Sequence, residues 1–308
     1  MKPSTMICRR FGLSQSEFSS FIQTCPYRYK TYPIKRRHSE KKRIISQPSR
    51  ELKAIQRYVI TSFLEQRLPI HDAAKAYRRG VNITDNAKPH LANAYLLKMD
   101  FSDFFPSIKG EDFKAYLRNH ELVEEGEARI LEMLFFKVND IGELRLSIGS
   151  PGSPLISNAL MYDFDKTVSD MANKENVAYT RYSDDITFST NEQNLLFDWP
   201  HKIQQILKNQ TLPILFLNDK KTIFSSKRHN RHVTGITITN DGEMSVGRSQ
   251  KRALRSQVHN AHELNSEAIA ILRGHIAFTD QVEPGFIEKL KKKYPEQMSQ
   301  ALKFILYN

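Results

Sequence analysis

Between residues 14 and 25 polar and apolar positions alternate at roughly helical spacing, with Phe18, Phe21 and Ile22 on one side. That spacing predicts a short helix ending before Pro26. From residue 27 to 46 aromatic and β-branched residues surround the basic positions Lys35, Arg36, Arg37, Lys41, Lys42 and Arg43, the pattern of a hairpin with a charged tip or of a solvated loop. Ser49 then caps a helix whose Leu52, Ile55 and Val59 recur on one face. The apolar run 94–99, directly before Asp100, reads as a buried strand delivering a carboxylate at its C-terminal end. Residues 111–136 return to helical spacing. Two β-rich runs, 177–182 and 186–189, flank Ser183, Asp184 and Asp185 and predict a hairpin with acids at its turn. Strands are expected near 214–217 and 233–239. From residue 249 the chain reads as helical, with Leu254, Val258, Ala261 and Leu264 near one face and a basic stretch at 289–293. Strands and helices occur without regular βαβ alternation, so the expected class is α+β.

The chain has 308 residues, 40% of them hydrophobic, enough to bury a sizeable core in one large unit or two smaller ones. A net charge of +12 fits a polyanionic partner, because neutralising phosphates releases counterions, although charge alone also describes an ordinary basic protein. The cysteines are Cys8 and Cys25, which excludes a disulfide framework and a zinc array of cysteines and points to a reducing cytosol. The residues after Arg9 and Arg10 are too polar for the core of a signal peptide, and no run approaches the ~18 apolar residues of a membrane span. A soluble intracellular protein with no membrane partner is expected.

Adjacent aspartates at a tight turn repel one another unless a cation neutralises them, and hard divalent ions accept such oxygens readily. YSDD at 182–185 is therefore a candidate metal motif, although Ser and Asp are also ordinary turn residues. A second strand ending in Asp100 changes the balance, because two-metal nucleotidyl transfer needs carboxylates converging from separate strands. Phe104 and Phe105 follow the first acid, and one of them is expected to pack in the core. The segment 147–154, SIGSPGSP, reads as a Gly- and Pro-rich loop entering a helix, where backbone can approach a nucleotide or simply turn.

Together these residues resemble the reverse transcriptase family, and in particular the bacterial retron reverse transcriptases. LLKMDFSDFFPSI at 96–108 resembles the first catalytic motif of that family. GSPGSPLISN at 149–158 resembles its template and nucleotide loop, YSDD its second catalytic motif, LNDKKT at 217–222 the lysine-bearing motif, and RIISQPSRELKAIQ at 43–56 the fingers motif. NAKPH at 86–90 and VTG at 233–235 are similar to two retron signatures. The resemblance implies a right-hand polymerase with fingers, an antiparallel palm and a small helical thumb. It divides the chain into an N-terminal helical extension at 1–30, fingers and palm at 31–238, and a thumb at 239–308. It implies two Mg²⁺ ions on Asp100, Asp184 and Asp185, and Phe105 as the aromatic that excludes a ribose 2′-hydroxyl. Arg43, Lys42 and Gly152 would lie at the nucleotide, and Lys221 would give a proton to pyrophosphate. Asn86, His90, Val233, Thr234 and Gly235 would contact RNA.

The implied partners are deoxynucleoside triphosphates, a cognate structured non-coding RNA serving as template and primer, its RNA–DNA product, and a separate effector protein in anti-phage defence. Ser183 stands where the family usually carries Ala, with little effect expected. Ile148 stands in place of Gln, which puts a copied nucleotide contact in doubt, and Gly152 replaces a small polar residue. The alternatives are a group II intron type enzyme, disfavoured by the short stretch after the VTG segment, and a catalytically dead RNA-binding scaffold, disfavoured by the retention of three mutually repelling acids.

Overall fold

The computed structural model describes residues 1–36 and 39–302. Of the basic tip expected in the first hairpin, Arg37 and the side chains of Arg36 and Lys41 lie outside the described residues. The chain forms two compact units. The first takes Met1–Arg79, Lys98–Ile186 and Phe197–Thr222, and the second takes Gly80–Leu97, Thr187–Leu196 and the described chain from Ile223 on. A four-stranded sheet runs in the order Ala178–Tyr182, Asp185–Thr190, Tyr95–Asp100, Ile223–Ser226.

In the first unit two helices precede the first hairpin. Pro3–Phe11, which the hydrophobic pattern did not announce, stops at Gly12 with φ 66°, and Gln15–Thr24 starts with a capping box between Ser14 and Glu17. The hairpin pairs Tyr29–Arg36 with Ser39–Pro48 in antiparallel register, Ile34 opposite Arg43. Ser49 caps the helix Arg50–Val59 as expected, and a π turn at Ile60–Leu64 prolongs it. The helical stretch expected over 111–136 is two helices, Gly110–Asn119 and Glu125–Phe135. They are parted at Glu121, whose φ of 51° cannot continue a right-handed helix. Phe101, Phe113, Phe135, Phe136 and Phe164 fill the core beneath.

The strand expected at 214–217 reduces to a single bridge between Leu217 and Phe101. Its alternation exists, with Leu215 buried between exposed Ile214 and Phe216, but the turn at Asp219–Lys221 ends it at once.

In the second unit the expected strand over 233–239 is a hairpin, Arg231–Val233 with Ile236–Ile238. Thr234 and Gly235 supply its two-residue turn at φ 46° and 84°, both positive as a type I′ turn requires. Val233, Ile236, Ile238 and Val246 pack with Ala87, Leu96 and Val282. The helices Gly247–His259, Ser266–Val282, Pro284–Lys293 and Pro295–Leu302 enclose a separate core of Leu254, Val258, Leu272, Ile276, Phe286 and Leu290. No helix among the described residues is long and apolar enough to cross a membrane.

Candidate active site

Asp100 closes its strand and is 5% exposed, while Asp184 and Asp185 sit half-buried where the neighbouring hairpin turns into its second strand. The backbone locks these ends together, since Phe101 N–H donates to Asp184 O at 3.0 Å. On the other side Asn218 N–H donates to Asp100 O at 2.8 Å and Ser102 N–H to Phe216 O at 2.8 Å, which brings the turn bearing Lys221 beside the acid. Lys221 Nζ donates to both oxygens of Asp100, at 2.7 Å each.

Burial raises the Asp184 carboxyl above its ordinary range and the charge of Asp100 adds to it, against Lys221 and Arg43. Asp185 is pushed up to about 6, first by burial and then by Asp184, with Lys98 opposing. Among the described residues no group of three His, Cys, Asp or Glu stands in a ready metal cluster, and Asp100 is engaged by Lys221. The donors nevertheless fit hard divalent cations. All are carboxylate oxygens from adjoining strand ends, and carboxyls raised first by burial and then by one another's charge are ones a bound cation would hold ionised.

The turn itself is held from below. Arg181 and Asp165, each with a side chain 0% exposed, pair through Nε to Oδ1 at 2.8 Å and Nη2 to Oδ2 at 2.6 Å, and Tyr179 Oη donates to Asp165 Oδ1 at 2.7 Å. The remaining Arg181 nitrogen, Nη1, donates to the carbonyl of Ser183 at 3.1 Å, the residue directly before Asp184. A lone arginine inside the β-rich run 177–182 was the available signal for this anchor. Ser183 takes φ 62°, and so does Tyr77 at φ 61°, a conformation that costs a non-glycine residue about 1–2 kcal/mol.

A row of aromatics leads out from the core. Phe101 meets Phe164 edge-on at 5.7 Å and stacks on Phe104 at 5.7 Å, Phe104 meets Phe105 at 5.3 Å, and Phe105 lies 6.4 Å from Tyr77. Phe104 is buried and Phe105 half-buried, so the former packs and the latter faces outward. Tyr77 itself carried no recognisable sequence signal. Burial raises Tyr182 above its ordinary value, with Tyr77 close by.

Arg43 and Lys42 are exposed on the second hairpin strand. That strand grips the Gly-rich loop, since Ser46 N–H donates to Ile148 O at 2.8 Å and Ser147 Oγ to Ser46 O at 3.3 Å. Gly149, at φ 116°, would strain any side chain, and a Cβ there would stand a tight 3.0 Å from Ser46 O. Gly152 is buried, and a Cβ on it would lie 2.3 Å from the Phe135 ring. Packing against Phe135 therefore demands glycine at this position, the one expected at the nucleotide.

In the second unit the two short signatures meet. Asn86 Nδ2 donates to Thr234 Oγ1 at 3.4 Å, and His90 Nδ1 lies 2.7 Å from Ser189 Oγ, to which Asn93 Nδ2 donates at 2.8 Å. Asn86, His90 and Val233, expected at the RNA, are buried, Thr234 is half-buried and Gly235 is exposed. They tie the patch together, and its exposed members are Lys88, Pro89, His232 and Gly235. Burial lowers His90 to about 3.

The family model described as reverse transcriptase (RNA-dependent DNA polymerase) matches residues 34–238. The chain is 42% identical over 281 residues to the Retron Ec83 reverse transcriptase of Escherichia coli, covering 89% of each. It is 31% identical to the Retron Ec86 enzyme of the same species over 89% of this chain and 84% of that one, and 31% identical to the Retron Ec73 enzyme over 91% and 92%. A telomerase of Candida albicans shares the fold, with a TM-score of 0.54 at 11% identity over 94% of this chain and 59% of that one. With acids on adjoining strand ends inside an α+β polymerase fold, the chain belongs to the reverse transcriptase family, as a bacterial retron-type RNA-directed DNA polymerase.

Proposed function

We propose that the protein copies part of one dedicated structured RNA into single-stranded DNA from deoxynucleoside triphosphates, primed from a 2′-hydroxyl of that RNA so that product and template stay joined. It would work in the bacterial cytoplasm, alongside a separate effector protein in defence against phage. The observation that carries the polymerase chemistry is the meeting of Asp100 with Asp184 and Asp185 through the Phe101–Asp184 backbone bond. These three would hold two Mg²⁺ ions, which when bound activate the primer hydroxyl and neutralise charge on the leaving pyrophosphate. Lys221, already against Asp100, would exchange that carboxylate for the departing phosphate and give it a proton. Arg43, with Lys42, would bind the triphosphate from the hairpin strand, as guanidinium forks suit phosphate. Phe105 would stand against the sugar.

The division into 1–30, fingers and palm at 31–238 and thumb at 239–308 is part of this proposal. RNA recognition would use the exposed edge of the joined signatures, Lys88, Pro89, His232 and Gly235, with Asn86, His90, Val233 and Thr234 holding that edge in shape. Sequencing nucleic acid copurified with the protein identifies template, primer and product together. Primer extension with Mg²⁺ on an RNA template tests the chemistry: no synthesis by the wild type, or undiminished synthesis by Asp184→Asn, sinks it.

A further inference from the structure

We propose that Tyr77 is a positioning residue for sugar selection, bracing Phe105 and tethering it to the catalytic turn through the Ser183 hydroxyl. The inference rests on the assignment of Phe105 to the sugar and extends it to a residue in a different part of the chain. Phe105 is gripped on one side by Phe104, at 5.3 Å, and that ring is itself stacked on Phe101. Tyr77 is also its neighbour, with ring centroids 6.4 Å apart and planes inclined by 51°. The Tyr77 hydroxyl donates to Ser183 Oγ at 3.4 Å, next to Asp184. Tyr77 thus touches both the aromatic that follows the first acid and the residue that precedes the second.

An exposed tyrosine at φ 61° does not hold such a pose by itself, and the backbone before it is clamped. Asn158, 1% exposed, donates its Nδ2 to Ala76 O at 3.0 Å from the helix that follows the Gly-rich loop. Lys75 N–H donates to Arg181 O at 2.8 Å, and Arg181 N–H to Ala73 O at 2.8 Å, on the strand that leads into the catalytic turn. Asn158 and Arg181 therefore fix the backbone just before Tyr77, and its side chain reaches Phe105 and Ser183. Tyr77 is 54% exposed, so core packing does not account for it. Ser183, a position where alanine would remove only the hydroxyl, supplies the acceptor.

A steric wall rejects one extra hydroxyl by about 10²-fold, and only while the wall stays in place. Removing the brace lets Phe105 yield to a ribose. The test is the ratio of kcat/KM for deoxynucleotides over ribonucleotides on one RNA template with a DNA primer and Mg²⁺. Tyr77→Asn deletes the ring yet tolerates positive φ. We expect its selectivity to fall about tenfold while its Tm stays equal or rises, and Tyr77→Phe to retain most of the selectivity. Tyr77→Phe and Ser183→Ala should match each other, each costing about threefold or less, with no further loss when combined. Equal losses for both nucleotide classes in Tyr77→Asn overturn the proposal, and additive losses in the pair overturn the tether. Phe105→Val is run in parallel. If it relaxes selectivity and Tyr77→Asn does not, Phe105 acts alone. If Phe105→Val leaves selectivity unchanged, the assignment of Phe105 fails and the role of Tyr77 falls with it.

Discussion

The ammonium of Lys221 donates to both carboxylate oxygens of Asp100, at 2.7 Å, although 121 residues separate them. The acid that closes the first motif strand is therefore held by a cation of the chain itself, and on the proposed two-metal reading Mg²⁺ would compete with that cation for the same oxygens. Lys221→Met should tighten Mg²⁺ binding to the protein, measured by calorimetry without substrate, because Asp100 is released. It should also lower kcat by roughly 10²-fold, the usual contribution of a positioned proton donor. Tighter binding with unchanged kcat would leave Lys221 only a placeholder, and weaker binding would remove the competition.

The pairing of Arg181 with Asp165 leads to a separation of stability from activity. Breaking a buried ion pair from one side leaves an uncompensated charge, so Asp165→Asn should cost about 3–5 kcal/mol in urea unfolding. Replacing both, as Asp165→Leu with Arg181→Met, should recover most of that loss, because apolar residues often substitute for such pairs at little cost. Primer extension should stay impaired in the double variant, since the Ser183 carbonyl has lost its donor. Full activity in a stable double variant would show that the turn stands without Arg181.

What the sequence disclosed and what it withheld follow from the range of each interaction. Strand ends carrying acids, the Ser49 cap and the hairpin at 177–189 were legible because alternation and turn residues are local properties. The break at Glu121 and the two-residue turn inside 233–239 were missed because a helical or β-rich run does not reveal where one residue adopts positive φ. Lys221 was legible as a motif lysine, but its partner was not. Arg181, Tyr77 and Gly152 each depend on a contact in a distant part of the chain, and no periodicity encodes those.

Gly152 illustrates the last point. A methyl on it would press into the Phe135 ring at 2.3 Å, inside a packed core that cannot open without strain. Gly152→Ala should destabilise the protein by about 1–3 kcal/mol, and adding Phe135→Leu should restore part of the loss by vacating that space. Thermal unfolding of the single and double variants decides it. A Gly152→Ala protein with unchanged stability but weakened nucleotide affinity would return this glycine to the nucleotide.

His90 makes the second unit sensitive to acid. Burial lowers its pKa to about 3, so the folded imidazole stays neutral beside Ser189, whereas the unfolded chain binds the proton near the ordinary value of about 6.5. Between those two values the unfolded state holds more protons, and stability rises with pH. The contribution of His90 is therefore complete above about pH 6.5 and is lost progressively as pH falls toward 3. His90→Asn should be less stable at pH 7.5, having lost a buried fit, yet should show a shallower decline on acidification. Near pH 5 the slopes of unfolding free energy should differ by up to about 1.4 kcal/mol per pH unit, one proton's worth. Urea unfolding of both proteins from pH 7.5 to 4.5 measures the difference. Parallel curves would mean that His90 takes up its proton in the folded protein, which a neutral buried ring cannot do. Because His90 and Asn93 both engage Ser189, acid should loosen this patch first, and RNA affinity should fall with it in the wild type more steeply than in His90→Asn.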